Sequence, residues 1–292
     1  MNDVTHQRIK TNGIWLHIAE QGTGPLVLLL HGFPDIWYSW RHQIPFLANH
    51  GYHVVAPDLR GYGDSDSPLS PSSYTFMHLV GDIIGLLDHF GEQQAFVVGH
   101  DWGAVIAWHL CLFRPERVKG LINISVPYFD RNPKAKYADA LIRTYGDGFY
   151  ISQFQTDNLI APPGVEIIDY LQTPSWIPPW ITEEEIQVYA DKFQESGFTG
   201  GFNYYRAMNW NWELTAPWQG SKILVPVKFL VGDKDLGFEN AGVREYVQGD
   251  TFRSLVPNLE VVILDGHHFL QQEKHQEVSQ EILSFLRKFP AE

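Results

Sequence analysis

The chain has 292 residues, 44% apolar and 14% aromatic, enough to bury a large interior as one domain or as a core with one insertion. Its 21 Lys and Arg stand against 34 Asp and Glu, a formal charge of −13, and no basic run is longer than Arg287-Lys288. That balance repels phosphate backbones and anionic membrane surfaces, which excludes nucleic acid and membrane as expected partners.

In chain order, short β-branched or Leu-rich runs predict strands at 14–19, 26–30, 53–56, 95–98 and 121–125. Between them, residues 74–90 place Phe76, Leu79, Val80, Ile83, Leu86 and Leu87 at a spacing that forms one helical face. Residues 104–113 read as a second helix, stopped near Arg114-Pro115. From Phe129 to Trp218 strand-like runs vanish, Pro pairs stand at Pro162-Pro163 and Pro178-Pro179, and aromatics become frequent, which predicts a helical insertion. The alternation resumes with strands at 227–231 and 259–264 and a terminal helix over 275–289. A parallel α/β sheet, with a core of residues 1–128 and 219–292 and a helical lid at 129–218, is the simplest arrangement, because crossovers in a buried parallel sheet demand this alternation.

Cys111 is the single cysteine, so neither an intrachain disulfide nor a thiolate metal cage is expected. Apolar runs such as 26–30 fall far short of the roughly 20 residues that cross a bilayer. The polar start MNDVTHQRIK carries no signal-peptide apolar stretch, and the end Phe289-Pro290-Ala291-Glu292 carries no targeting signal. The expectation is a cytoplasmic protein, monomeric or homodimeric.

The chemistry concentrates in three places. Directly after the strand at 95–98 comes Gly99-His100-Asp101-Trp102-Gly103, opening a small-residue helix. A strand-to-helix turn with Gly two positions either side of a central residue strains that residue and lifts its side chain above the sheet, as in a nucleophile elbow with Asp101 in the place of serine. The alternative is an Asp that merely caps the helix. Next, Val231-Gly232-Asp233-Lys234-Asp235 follows a strand, so its carboxylates stand at the strand's carboxyl end, where such sheets place their sites. Asp235 is the preferred acid and Asp233 its competitor. Finally, Asp265-Gly266-His267-His268-Phe269 supplies the base, and of two adjacent histidines at most one faces the nucleophile. Nucleophile, acid, histidine is the order of an α/β-hydrolase.

His31-Gly32-Phe33-Pro34 through Arg41, the run Asp58-Leu59-Arg60-Gly61-Tyr62-Gly63-Asp64-Ser65, and the Gly99–Gly103 elbow resemble plant-type soluble epoxide hydrolases. The resemblance covers essentially the whole core. It implies the α/β-hydrolase fold, a mostly parallel sheet flanked by helices, with a helical lid inserted after the sixth strand. It also implies that the histidine directly before Phe, His268, is the base and that Asp235 is the acid. Two lid tyrosines that hold the epoxide oxygen fall on Tyr150, ahead of Phe154-Gln155, and on Tyr205, ahead of Arg206. Tyr204 and Tyr205 lie about 100° apart on a helix, so only one readily reaches the nucleophile. The chain departs from the family where Phe154-Gln155 runs into Thr156-Asp157-Asn158 in place of Glu-Pro-Gly, and this bears on substrate range more than on reaction class.

The resemblance fits the chemistry. A carboxylate can open a strained epoxide from the back and leave an ester on Asp101. Phenols of pKa near ~10 stay protonated at working pH and can serve the departing oxygen. His268 then activates water against the ester carbonyl, and Asp235 orients the imidazole. The backbone amides of Phe33 and Trp102 are placed to form the oxyanion hole. His31, Pro34 and Asp35 complete the first loop as candidates for the substrate pocket or water path, with Asp35 standing where the family commonly carries Glu. No metal and no cofactor is expected; the expected partners are a small epoxide and water. Two further readings are a haloalkane or haloacid dehalogenase using the same Asp nucleophile, and a hydrolase fold retained as a small-molecule binding protein.

Overall fold

The structure, a computed structural model, describes residues 4–146, 150–155, 176–240 and 242–289, with Tyr150 described by its backbone alone. Eight strands form one sheet: β1 (Thr5–Thr11), β2 (Ile14–Gln21), β3 (Leu26–Leu30), β4 (His53–Pro57), β5 (Ala95–His100), β6 (Val118–Ile124), β7 (Val227–Gly232) and β8 (Leu259–Leu264). Their order is β1-β2-β4-β3-β5-β6-β7-β8. β1 with β2 and β2 with β4 run antiparallel, and every other pair is parallel.

Helices cover both faces, and the central strands are correspondingly apolar on both sides. Every residue of β3 and β5 is buried. Along β3, Leu26, Leu28 and Leu30 feed one apolar layer while Val27 and Leu29 feed the other, as the two-residue period of a strand requires. The helices before the insertion are α1 (Gln43–Ala48), α2 (Phe76–His89) and α3 (Trp102–Phe113). The predicted stripe of α2 is buried from Phe76 to Leu87, each large apolar side chain contributing about 1.5–3 kcal/mol. Cys111 sits on the buried side of α3, and burial pushes its thiol far above the ordinary value.

β1 was not predicted. Its sequence Thr-His-Gln-Arg-Ile-Lys-Thr is mostly exposed and has little apolar alternation, so the pattern that betrays core strands is missing. It is held by a tight turn at Asn12-Gly13, both with positive φ (47° and 83°), and pairs residue by residue with β2. This edge strand makes β6 the sixth in the chain.

Between β6 and β7 lie α4 (Tyr137–Tyr145), α5 (Tyr150–Phe154), α6 (Glu183–Ser196), α7 (Thr199–Arg206) and α8 (Met208–Leu214). No strand occurs there among the described residues; Pro162-Pro163 and Thr156-Asp157-Asn158 lie outside them. α6 starts on a capping box in which Glu185 N–H donates to Thr182 Oγ1 (3.2 Å) and Thr182 N–H donates to Glu185 Oε2 (2.9 Å). The other Glu185 oxygen accepts from buried Arg41 Nε (2.7 Å), so one side chain both caps the helix and fastens it to the sheet domain. Asn211 of α8 adds a second tie by accepting from Phe76 N–H (2.7 Å). After β7 come α9 (Leu236–Glu239), α10 (Val243–Gln248) and α11 (Asp250–Leu255), and after β8 come α12 (Leu270–Glu273) and α13 (His275–Leu286). No helix among the described residues is long and apolar enough to cross a membrane.

Candidate active site

β5 delivers Asp101 to the carboxyl edge of the sheet with φ 51° and ψ −118°, a conformation that non-glycine residues rarely adopt. Its glycine neighbours explain how the chain tolerates that bend. A Cβ on Gly103 would lie 2.1 Å from Leu30 O, and one on Gly32 would lie 2.3 Å from Asp101 Cβ, so both backbones approach too closely for any side chain. Asp101 stands at the N-cap position of α3, yet its side chain makes no cap hydrogen bond. Oδ1 instead accepts from Phe33 N–H (2.8 Å), in the loop after β3.

The other carboxylate oxygen, Oδ2, lies 3.6 Å from His268 Nε2. On the far side of that ring, Nδ1 lies 3.1 Å from Asp235 Oδ2. Asp235 is buried, and its second oxygen accepts from Gly237 N–H (2.7 Å), so capping α9 fixes the carboxylate that faces the imidazole. The competitor Asp233 is turned away and accepts from Gly266 N–H (3.1 Å). His267 points outward to Glu273 (3.0 Å), and Lys234 pairs with Asp265.

Three interlocked charges result. Burial favours a neutral His268, but the flanking carboxylates outweigh it and push the imidazole up to about 10. Burial would also raise both acids. For Asp101 it is overcome by His268 and the Phe33 N–H; for Asp235 it is overcome by His268, the Ser125 hydroxyl and the Gly237 N–H. Both carboxyls therefore stay below the ordinary carboxylate range, and the resting site is carboxylate, imidazolium, carboxylate.

Asp101 lines a cavity of about 310 Å³ roofed by the helical insertion. Its walls are largely apolar or aromatic, with Trp102, Val105, Ile151 and Met208 beside Tyr205 of α7. Tyr205 stands edge-on to Trp102, ring centroids 5.0 Å apart. Tyr204 is turned away, donating to Arg60 O (2.8 Å) in the core, as the angular separation on a helix anticipates. The side chain of Tyr150, at the start of α5, lies outside the described residues.

The first-loop candidates divide. Phe33 N–H reaches Asp101, but the rest of the loop does not form the cavity wall. His31 is fully buried with both nitrogens engaged, Nδ1 with Gly32 O (2.9 Å) and Nε2 with Leu59 N–H (3.0 Å), which makes it a brace of the loop. Pro34 is exposed. Asp35 lies beneath the site: burial, only partly offset by neighbouring donors such as the Ile36 N–H (3.3 Å), pushes its carboxyl up to about 7. Three residues outside the predicted set join the site. Ser125, at the end of β6, donates to Asp235 Oδ2 (2.6 Å) and lies 3.0 Å from His268 Nδ1. Gln271 bridges Asp35 (3.4 Å) to His100 Nδ1 (3.2 Å), and His100 Nε2 lies 2.8 Å from His268 O. The end of a neighbouring strand was the one readable signal for Ser125; Gln271 had none.

Comparison with known proteins shows the fold and the family. A family model described as the alpha/beta hydrolase fold matches residues 25–161. An epoxide hydrolase of Siraitia grosvenorii is 49% identical over 99% of this chain and 100% of its own length. The chain belongs to the epoxide hydrolase family. An epoxide hydrolase of Mycobacterium tuberculosis is 37% identical, with 98% of each chain covered. Among solved structures, an epoxide hydrolase from Vigna radiata superposes with a TM-score of 0.94 at 45% identity, covering 99% of both chains. A laboratory-evolved variant of a potato epoxide hydrolase gives 0.92 at 44% identity, covering 98% of this chain and 100% of that one. This member of the family is the shorter partner in the first alignment: it runs over 322 positions against 292 residues here, so the relative carries residues that this chain lacks.

Proposed function

We propose that this chain converts epoxides to vicinal diols in two steps, through an ester on Asp101, beneath a lid formed by residues 129–218. The observation that carries the reading is the placement of one carboxylate: Oδ1 on the Phe33 N–H and Oδ2 beside His268, in a residue that lines an apolar cavity also lined by Tyr205.

In the first step Oδ2 attacks an epoxide carbon, the carbon–oxygen bond of the ring breaks, and the departing alkoxide takes a proton from the Tyr205 hydroxyl, assisted by Tyr150. Removing negative charge from Asp101 removes one of the two carboxylates that hold the proton on His268. The imidazolium then releases its proton, which balances the one drawn from the phenol, and the neutral ring is ready as a base. In the second step His268 deprotonates water, and the hydroxide adds to the ester carbonyl. Charge gathers on Oδ1, where the Phe33 N–H already donates and the Trp102 N–H is the second oxyanion donor; loss of one such donor typically costs ~3 kcal/mol of barrier stabilisation. The tetrahedral species expels the diol, which keeps the original Oδ2, and the ion triad is restored. Asp235 and Ser125 hold the imidazole through Nδ1 during both proton transfers.

A single turnover in ¹⁸O-labelled water tests the ester. The first diol should be unlabelled and the label should appear in Asp101; label in the first diol would rule the ester out. His268→Gln should accumulate an intact-mass adduct of one substrate, and Asp101→Asn should form none.

A further inference from the structure

The cavity is a trough along one face of α3. Asp101, Val105 and His109 stand four residues apart, so their side chains share that face and the third lies about 12 Å along the helix axis from the first. At the reacting end are the carboxylate and Tyr205; at the other end is a histidine that the mechanism does not use. His109 lies deep in the protein yet keeps accessible surface, and that surface is cavity wall.

The tautomer of His109 is set by its own helix. Its Nδ1 lies 2.7 Å from Val105 O, a carbonyl that can only accept, so Nδ1 carries the proton and Nε2 is a bare acceptor. Burial pushes the ring down to about 4, so it is neutral at working pH. Phe76 covers one ring face at a centroid distance of 3.7 Å, which fixes the plane. With Nδ1 turned back to the backbone, Nε2 stands at the tip of the ring, and it has no hydrogen-bond partner among the described residues. Two other polar groups around this end are already engaged: Trp108 Nε1 donates to Val126 O (2.9 Å), and the Tyr128 hydroxyl donates to Ser221 O (3.4 Å). An apolar tail that displaces water from this acceptor leaves it unpaired at a cost in free energy, and a ligand that brings a donor is favoured.

We propose that His109 Nε2 is a specificity-determining acceptor for a hydroxyl group on the tail of the substrate, which makes the preferred substrates apolar epoxides bearing an alcohol about 12 Å from the oxirane. This rests on the epoxide-hydrolase reading and adds the substrate class to it. A purely hydrocarbon tail would fill the same trough but leave Nε2 unsatisfied.

The test is a series of terminal epoxides of graded chain length, each as the ω-hydroxy compound and as the plain alkyl compound. The quantity followed is the kcat/KM ratio within each pair. In the unmodified enzyme this ratio should peak at the length that spans the trough. His109→Phe, which keeps the stacking on Phe76 and removes the acceptor, should lower the peak ratio about tenfold. His109→Gln, which restores an acceptor, should recover part of it. A ratio independent of chain length, or one that neither substitution changes, would overturn the proposal while leaving the hydrolase reading intact. Absence of diol from every member of the series would instead defeat the hydrolase reading.

Discussion

His100 Nε2 lies 2.8 Å from the backbone carbonyl oxygen of His268, so the residue immediately before Asp101 braces the residue whose imidazole faces Asp101. Since that carbonyl can only accept, His100 donates from Nε2 and accepts at Nδ1 from Gln271. Burial, followed by the charge on His268, pushes His100 down to about 4, which preserves this neutral tautomer across working pH. His100→Leu removes both bonds. We expect kcat to fall about 10–100-fold, with the loss in ester hydrolysis and not in alkylation. Single-turnover kinetics separates the two steps, and equal loss in both would count against a bracing role.

Ser125 is the hydroxyl shared by Asp235 and His268. Ser125→Ala deletes a hydrogen bond to a buried carboxylate, of a kind contributing about 1.5–3 kcal/mol. Ester breakdown should slow by about tenfold or more while the covalent adduct forms at nearly its normal rate. Pre-steady-state mass spectrometry reads both rates.

Two phenols are assigned to one developing alkoxide. Tyr205→Phe or Tyr150→Phe alone should lower the alkylation rate about 10–100-fold, and the double replacement should nearly stop ring opening. Ordinary turnover in the double variant would remove the tyrosines from the mechanism.

Asp35 predicts a pH dependence of stability. Its folded-state pKa of about 7 lies above the ~3.9 of an unfolded chain, so between about pH 4 and 7 the folded state holds more protons. Stability attributable to this carboxyl is therefore complete below about pH 4 and declines as pH rises to about 7. Asp35→Asn should flatten that decline, and its stability relative to the unmodified protein should improve with pH, by on the order of 2–4 kcal/mol at pH 8. Urea unfolding at several pH values measures it; a constant difference would contradict the shift.

Arg41 joins Glu185 of the insertion to Gln272 of α12. Arg41→Met should destabilise the protein by about 1–3 kcal/mol, the range reflecting a Glu185 side chain that is still 21% exposed. A double-mutant cycle with Glu185→Gln isolates the pair; a coupling energy near zero would show that the helix is held by packing alone.

What could be read in the sequence was what depends on neighbours along the chain. Apolar runs located the buried strands within a few residues, and the Gly99–Gly103 spacing pointed to Asp101 before any fold was known. Helix α3 begins two residues before its predicted start, because Trp102 enters the helix directly from the strained elbow. The polar edge strand β1 offered little periodicity, although its Asn12-Gly13 turn was a hairpin signal. Ser125, His100 and Gln271 come together only through strand order, and the last two are 171 positions apart. Asp35 and His31 were placed in the right loop, but which way a loop side chain turns depends on what packs behind it.

Cys111, on the covered side of α3, gives the protein an unplanned reporter. With its sulfur shielded and its ionisation suppressed, an alkylating reagent finds no thiolate until the helix leaves the sheet. The pace of modification then counts excursions of the native fold, and an added surface cysteine can carry a fluorophore against a silent background.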